Sequence, residues 1–231
     1  VLREAIRGQR CPPVTEAMTY EMWGKACRIT ALALTMIALL LAGGCGRQEK
    51  SASGGRFDLI IGSFGHTAGK FNRPRGIAYD PANAAVYVVD WDGRIQKFTT
   101  NGAFRASWIM PDIEKGKPED LCMAKNGNVL VTDTHYSRVV EFTPDGMLVH
   151  SFGRYGRGPG EFIYPVGICC DKAGNLYVSE YGENARIQKF TSRGELICGW
   201  GSFGSATNQF QRPSGIDMSE DGMLYVADAV N

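Results

Sequence analysis

Four acidic residues recur at nearly constant spacing, and carboxylates at fixed positions are the first candidates for acid–base or metal chemistry. They are Asp90, Asp133, Glu180 and Asp228, which are 43, 47 and 48 residues apart. Each ends an apolar run, as Asp90 ends Tyr87-Val88-Val89. A carboxylate at a strand end accepts N–H bonds from the turn that follows. Because every copy carries the acid, the pattern favours a structural role, since a unique active site would break the repetition.

Histidine is a frequent ligand of catalytic zinc, which is commonly held by three protein side chains. The chain has three histidines, His66, His135 and His150. They stand at different positions of the repeat described next, so the sequence does not predict a three-histidine zinc site. No catalytic residue and no metal ligand is assigned from these patterns.

The acids belong to a longer repeated unit. It begins with Pro-x-Gly-apolar, as in Pro74-Arg75-Gly76-Ile77, and ends with a run such as Arg94-Ile95-Gln96-Lys97-Phe98. The prolines that open the four copies are 44, 47 and 48 residues apart: Pro74, Pro118, Pro165 and Pro213. Self-similarity at this kind of period is typical of solenoids, propellers and arrays.

Each unit predicts four short strands. In the first copy they are residues 57–61, 76–79, 86–89 and 94–98, separated by turns rich in Gly, Asn and Asp. No helical period follows residue 45. The sequence therefore predicts an all-β fold, a β-propeller with four-stranded antiparallel blades.

The repeated motifs resemble those of the NHL repeat family. The resemblance extends from Phe57 to the end of the chain and includes Gly-Ser-Phe-Gly, Arg-Pro-Ser-Gly-Ile and Arg-Ile-Gln-Lys-Phe. It implies a six-bladed propeller of the broad class that includes gluconolactonase-like propellers. The second copy departs from the motif, because Glu119-Asp120 stands where Arg75-Gly76 stands in the first.

The length of the repeat region predicts a fragment of such a ring. Residues 57–231 number 175, whereas six blades of roughly 45 residues would need about 270. We expect about three and a half blades of six, in repeats of about 57–104, 105–148, 149–196 and 197–231. An unclosed ring leaves unpaired strand edges at both ends.

One face of a propeller collects the loops that lead into the inner strands and the loops between second and third strands. Aromatic residues follow three of the repeated acids, and basic residues lie in the other loops. Arginine forks and aromatic rings together suit a binding surface, although such aromatics can equally pack on neighbouring loops. The predicted ligand-binding residues are Arg73, Arg75, Trp91, His135, Tyr136, Tyr181 and Arg212, with Lys117, Glu119, Asp120 and Tyr164 on the same face.

An enzymatic alternative also follows from the resemblance. Propellers of this kind include a peptide-amidating lyase that uses zinc, and a lactonase-like site would use carboxylates around a divalent cation. Asp217 is the acid that the sequence places on an inner strand. Calcium or zinc is expected only under this alternative, and no cofactor under the binding interpretation.

The N-terminal segment has the layout of an export signal. Lys25 and Arg28 precede an uncharged run at 29–41, and the small residues 42–44 follow it. The run is shorter than the ~20 residues of a membrane span. Cys45 then makes the segment resemble a bacterial lipoprotein signal, in which this cysteine is acylated; an ordinary cysteine after an ordinary signal or an uncleaved anchor is the alternative.

These features predict the domain organisation and the surroundings of the protein. Residues 1–44 form an N-terminal extension with a signal helix, 45–56 a flexible tether, and 57–231 the propeller. A lipid anchor on Cys45 would hold the propeller at the bacterial cell envelope, facing away from the cytoplasm.

Net charge and cysteine content limit the classes of partner that the sequence predicts. Lys and Arg number 25 against 24 Asp and Glu, so no strong positive field favours nucleic acid. The remaining cysteines of the propeller, Cys122, Cys169, Cys170 and Cys198, lack metal-site spacing and are expected to be buried or disulfide-bonded. We expect a non-catalytic propeller that binds a protein, peptide or glycan.

Overall fold

A computed structural model describes residues 2–7 and 59–230 of the 231-residue chain. Among these residues the secondary structure is almost entirely β-strand, with one short 3₁₀ turn at Thr134–Tyr136. The strands are β1 Leu2–Arg7, β2 Pro74–Asp80, β3 Ala85–Asp90, β4 Arg94–Thr99, β5 Phe104–Ile109, β6 Pro118–Met123, β7 Val129–Asp133, β8 Arg138–Phe142, β9 Leu148–Phe152, β10 Tyr164–Cys170, β11 Leu176–Tyr181, β12 Arg186–Phe190, β13 Leu196–Trp200, β14 Ser202–Phe203, β15 Gln209–Phe210, β16 Pro213–Met218 and β17 Met223–Asp228.

Three sheets each contain four consecutive antiparallel strands. Their orders are β2-β3-β4-β5, β6-β7-β8-β9 and β10-β11-β12-β13, and we name them blades 1, 2 and 3. Blade 4 is a three-stranded sheet with the order β1-β17-β16, in which Leu2–Arg7 pairs with Met223–Asp228. The fold is a partial β-propeller, which confirms the predicted all-β class and the four-stranded antiparallel blades.

The blades are offset from the sequence repeats by one strand. Each inner strand begins at the repeated proline or, in blade 3, one residue before it, so blade 1 covers 74–109 rather than starting at the strand predicted for 57–61. The described part of that predicted strand, 59–61, lies outside any strand. The equivalent segments of the later repeats are β9 and β13, which form the outer strands of blades 2 and 3. A strand pattern therefore precedes Pro165 and Pro213, but that strand belongs to the blade before the proline.

Hydrophobic residues fill the spaces between successive blades. The second strands β3, β7 and β11 are buried over nearly their whole length, because both faces of each sheet pack on neighbours. The largest buried cluster joins blade 1 to blade 2 through side chains such as Tyr87, Ile95 and Val131. Burying one such large side chain contributes about 1.5–3 kcal/mol.

The inner strands of neighbouring blades approach closely where the repeat has glycine. A Cβ atom built on Gly76 would lie 2.8 Å from the Asp120 Cα, and one on Gly167 would lie 3.0 Å from the Ile216 backbone nitrogen. The first distance excludes a side chain at Gly76, and the second leaves room for one at Gly167 only if the neighbouring backbone shifts. Asp120 occupies the equivalent position of blade 2, and its Oδ2 accepts a hydrogen bond from the Ile168 N–H of blade 3 at 3.2 Å.

The repeated acids pair with the repeated arginines, as a structural role requires. Asp90 with Arg94, Asp133 with Arg138 and Glu180 with Arg186 form ion pairs in blades 1, 2 and 3, and the carboxylates are fully buried. Asp228 also lies buried and accepts the backbone N–H groups of residues 211 and 212. The carboxylates therefore fix the loops beside their strands.

Three of the four propeller cysteines are free thiols. Cys169 is buried, while Cys122 and Cys170 are half-buried. Burial raises the pKa of the Cys122 and Cys169 thiols. No disulfide bond joins Cys122 to Cys169.

The described residues, 2–7 and 59–230, belong to one compact unit, and residues 16–58 lie outside the described part of the chain. The predicted signal helix, Cys45 and the tether at 45–56 belong to that segment. Within 2–7 and 59–230, no helix has the length and apolar character needed to span a bilayer.

Candidate ligand-binding face

Strand pairing brings two sets of loops together on one face. The first residue of each inner strand lies opposite the end of the second strand, as Pro74 does to Asp90 and Pro213 to Asp228. The Trp91 N–H donates to the Asn72 carbonyl at 3.0 Å, which ties the two loops of blade 1 together. We call this surface the loop face; it carries all seven predicted binding residues.

Three basic side chains of the loop face surround one indole ring. The Lys117 Nζ lies 4.0 Å from the centre of the Trp91 ring, and the guanidinium carbons of Arg75 and Arg73 lie 5.1 and 5.2 Å from it. A cation near an aromatic face is attracted by the ring quadrupole, by about 0.5–1 kcal/mol at exposed sites. We call Arg73, Arg75, Trp91 and Lys117 the Trp91 cluster, which joins blade 1 to blade 2.

The Trp91 cluster is positioned by a strained backbone and an ion pair. Arg73 has a φ of 52°, in the left-handed region that non-glycine residues rarely adopt. The Trp91 N–H also donates to the Arg73 carbonyl at 3.2 Å and so supports this conformation. Arg75 forms an ion pair with Glu119 of blade 2.

A second cluster joins blades 2, 3 and 4 and is mainly aromatic. The rings of Tyr164 and Tyr181 stack with centres 5.3 Å apart and planes at 23°. The Arg212 guanidinium lies 5.4 Å from the centre of the Tyr181 ring, and His135 lies 6.3 Å from Tyr164. Offset stacking of this kind builds a flat apolar surface with polar edges. These four residues are the Tyr181 cluster.

Tyr136 lies apart from both clusters. The Arg138 guanidinium lies 4.8 Å from the centre of its ring, and the Tyr136 hydroxyl accepts the Lys115 N–H at 3.2 Å. Arg138 is in turn held by Asp133 and by Asp112 at 2.8 Å. Tyr136 therefore fixes the loop that leads into blade 2. This is packing on a neighbouring loop, the alternative to ligand binding that the sequence also allowed for these aromatic residues.

One carboxylate beside the Trp91 cluster is already engaged. Asp92 accepts hydrogen bonds from Asn72 at 2.7 Å and from His66 at 2.6 Å. Desolvation raises the pKa of Asp92, but these hydrogen bonds outweigh it, and the pKa of Asp92 is lowered. Asp92 is thus a carboxylate with its own partners near the basic residues.

Two acids lie on the inner strands. Burial, with a smaller contribution from the negative charges of Asp217 and Glu119, raises the pKa of Asp120 to about 6 despite N–H bonds from Ile168 and Leu121. Asp217, predicted as the inner-strand acid, is exposed on β16. The sequence marked Asp120 as a departure from the repeat but did not identify it as a titrating group.

A set of exposed aromatics was missed by the sequence analysis. Phe64, Tyr155 and Phe203 are 77%, 75% and 61% exposed, and each pairs in parallel with a buried Phe seven residues later. They share one position of the recurring Gly-x-aromatic-Gly motif. That recurrence, at 62–65, 153–156 and 201–204, could have identified them.

The structure thus brings six of the seven predicted residues into two clusters. Arg73, Arg75 and Trp91 meet in the first, and His135, Tyr181 and Arg212 in the second, while Tyr136 packs on Arg138. Among residues 2–7 and 59–230, no group of three or more His, Cys, Asp or Glu side chains is placed to hold a metal ion.

Comparison with known proteins supports the fold. Residues 110–188 match the DUF5128 family, described as a 6-bladed beta-propeller. No match is found among curated protein sequences. The chain has a propeller fold.

Solved structures with the same fold have different activities. Virginiamycin B lyase from Staphylococcus aureus is 18% identical with a TM-score of 0.52, and 68% of this chain covers 49% of that one. A putative gluconolactonase is 18% identical with a TM-score of 0.52, covering 71% and 58%. A structure of the nidogen/laminin complex contains a chain 20% identical with a TM-score of 0.52, covering 68% and 57%. The present chain therefore spans about half the length of these proteins, and the likeness concerns the fold alone.

Proposed function

We propose that this protein is a non-catalytic binding module whose loop face binds a protein, peptide or glycan. The observation that carries the proposal is the pair of clusters at the blade junctions, in which arginine and lysine side chains lie against aromatic rings. Residues of this kind dominate the energetics of binding surfaces. The propeller in the nidogen/laminin complex is a precedent for a propeller in a protein complex.

The strand-end acids support this assignment because they hold the loop face rather than facing solvent. Asp90 accepts the Asn72 N–H at 3.2 Å, and Glu180 accepts the Ile163 N–H at 2.8 Å. Asp228 accepts the Arg212 N–H at 2.7 Å. Each acid thus fixes the residue just before, or at, a member of a cluster, so the clusters are preorganised for binding.

The test uses the full chain on arrays of peptides and glycans. Trp91→Ala/Tyr181→Ala removes one ring from each cluster, and we expect it to lose the ligands that the unchanged protein retains. Met147→Ala is the matched control, because Met147 is 68% exposed on the β8–β9 turn, away from the loop face. Unchanged binding by a folded double variant would contradict the proposal.

A metal-dependent lyase or lactonase is the second candidate. It is favoured by two carboxylates on inner strands, Asp120 and Asp217, which lie close enough for the charge of Asp217 to raise the pKa of Asp120. Stoichiometric zinc or calcium in the purified protein, lost in Asp217→Ala or His135→Ala, would favour the enzyme over the binding module.

We also propose that Cys45 carries a lipid that anchors the propeller at the cell envelope. The support is the sequence alone, a basic, apolar and small-residue run that ends at this cysteine. Incorporation of labelled fatty acid into the protein, abolished by Cys45→Ser, is the expected result. Equal labelling of the Cys45→Ser variant would contradict it.

A further inference from the structure

The Trp91 cluster has an excess of positive charge. Arg75 is paired with Glu119, but in the described part of the chain no carboxylate lies within 4.0 Å of the Arg73 or Lys117 charge. The nearby Asp92 carboxylate is occupied by His66 and Asn72. Two cations therefore converge on one ring without a counter-charge, in a place where the backbone of Arg73 is held in a strained conformation.

The indole at the centre of this cluster is a poor platform for a sugar ring. A carbohydrate stacks on an open aromatic face, whereas Lys117, Arg73 and Arg75 all lie within about 5 Å of the Trp91 ring centre. The ring instead holds the basic side chains in place through cation–π contacts. What the cluster offers to solvent is a set of hydrogen-bond donors.

Glu119 shows which kind of acceptor these donors bind. Its carboxylate is a side chain of the chain itself, and the Arg75 guanidinium donates to its Oε1. Guanidinium forks match carboxylates in geometry, and hydrogen bonds between ionised groups are roughly twice as strong as neutral ones. A second carboxylate carried by a ligand would complete the same arrangement at Arg73 and Lys117.

We propose that the Trp91 cluster binds a carboxylate side chain of an acidic peptide segment. The inference rests on the proposed function of the loop face and names the ligand class for one of its two clusters. A peptide carboxylate sits on a flexible side chain and can reach the Arg73 and Lys117 donors without stacking a ring on Trp91.

The test measures binding of a fluorescent ten-residue oligoglutamate to the full chain at low ionic strength. We expect binding that weakens steeply as salt is added, because exposed charges are screened. Arg73→Gln/Lys117→Gln should weaken binding by about tenfold or more, since each removes a charge-assisted donor.

A charge-matched control excludes non-specific attraction. Lys125→Gln/Arg193→Gln removes the same net charge from exposed positions on turns away from the loop face, at 125 and 193. Its affinity for oligoglutamate should stay within about twofold of the unchanged protein. Equal weakening of both double variants would overturn the proposal, as would the absence of binding at low salt.

The same experiment separates the ligand class from the proposed function. If a sulfated heparin-type oligosaccharide binds and oligoglutamate does not, the acidic-peptide assignment is wrong. If the array ligands depend on Trp91 and Tyr181 but are insensitive to Arg73→Gln/Lys117→Gln, the loop face still binds a ligand and only the charge assignment fails.

Discussion

Blades 1 and 3 share a loop that blade 2 lacks, and the difference explains the repeated Arg-x-Gln motif. In blade 3, Arg186 donates to the carbonyls of Gly158 and Glu161 at 2.8 and 2.9 Å, and the Gln188 side chain bonds Gly160 N–H and the Glu161 carbonyl, each at 2.9 Å. In blade 1, Arg94 and Gln96 bond the loop at 65–70 in the same way. Strand β4 and strand β12 therefore read Arg-Ile-Gln because their side chains hold the preceding loop.

Blade 2 has a shorter loop, and its sequence changes accordingly. Its third strand begins Arg138-Val139-Val140, so the glutamine is replaced by an apolar residue. Arg138 bonds the Asp112 carboxylate instead of loop carbonyls, and the Asp133 Oδ1 is buried without a hydrogen-bond partner among the described residues. The acid–arginine pair is common to all three blades, but its connection to the loop is not.

The largest effect is expected from removing the acid of blade 1. Asp90→Ala leaves the Arg94 guanidinium, which is nearly buried, without its carboxylate and removes the acceptor of the Asn72, Asp92 and Arg94 N–H groups. Breaking a buried ion pair costs about 3–5 kcal/mol. Urea denaturation should show this loss in the free energy of unfolding.

The control for Asp90→Ala is Asp145→Ala. Asp145 is 86% exposed, and it forms a surface ion pair in which its Oδ1 lies 3.6 Å from the Lys97 Nζ. Exposed pairs contribute about 0–1 kcal/mol. A loss below about 1 kcal/mol in Asp90→Ala would mean that the buried pair does not hold blade 1 together.

The equivalent change in blade 2 should cost less. Asp133→Ala removes one partner of Arg138, but Asp112 remains 2.8 Å away, and no backbone N–H bond to Asp133 is lost. We expect a loss of about 2 kcal/mol, because the remaining carboxylate still compensates the guanidinium charge. Equal losses in Asp133→Ala and Asp90→Ala, measured under the same conditions, would remove the distinction between the two blades.

The free energy of unfolding should also depend on pH, because Asp120 of blade 2 has a raised pKa. Its folded-state pKa of about 6 exceeds the ordinary value of 3.8, so the folded state binds the proton more tightly than the unfolded state. The resulting stabilisation is fully present below pH 3.8 and is lost as pH rises through about 6, by roughly 3 kcal/mol.

Asp120→Asn removes this titration. The unfolding free energy of the variant, followed from pH 4 to pH 7, should fall less than that of the unchanged protein, so that the variant gains relative stability as pH rises. Parallel curves for the two proteins would show that Asp120 titrates normally. Glu220→Gln, an exposed acid on the same blade as Asp217, is the matched control.

The repeated blades can be predicted from the sequence, whereas the features that differ between blades can be predicted only in part. The spacing of Pro74, Pro118, Pro165 and Pro213 predicts the inner strands, because each proline is the first or second residue of one. The blade boundary was offset, since a repeat pattern has no inherent starting strand. Which residues share a face follows from topology, whereas the contacts of Lys117 with Trp91 across two blades depend on loop conformations that no periodicity encodes.

The function of Gln188 could not be predicted from its repetition alone. It is 1% exposed, and a buried amide needs partners, which it finds in the loop at 160–161 and in Glu180 at 3.2 Å. In the sequence, Gln96 and Gln188 read as the polar positions of half-exposed strands. Blade 2 lacks both this glutamine and the long loop, and this joint absence shows that the glutamine is there to hold the loop.

The smallest effect on stability is expected on the loop face itself. Trp91 and Tyr181 are half-buried, and neither belongs to a hydrophobic cluster between blades. The Trp91 ring contacts cations, and the Tyr181 ring contacts Arg212 and Tyr164. Trp91→Ala/Tyr181→Ala should therefore lower the unfolding free energy by only about 1–2 kcal/mol, from lost cation–π and stacking contacts. A loss as large as that of Asp90→Ala would make these rings structural, and the separation between buried pairs that hold the loops and surface rings that bind a ligand would fail.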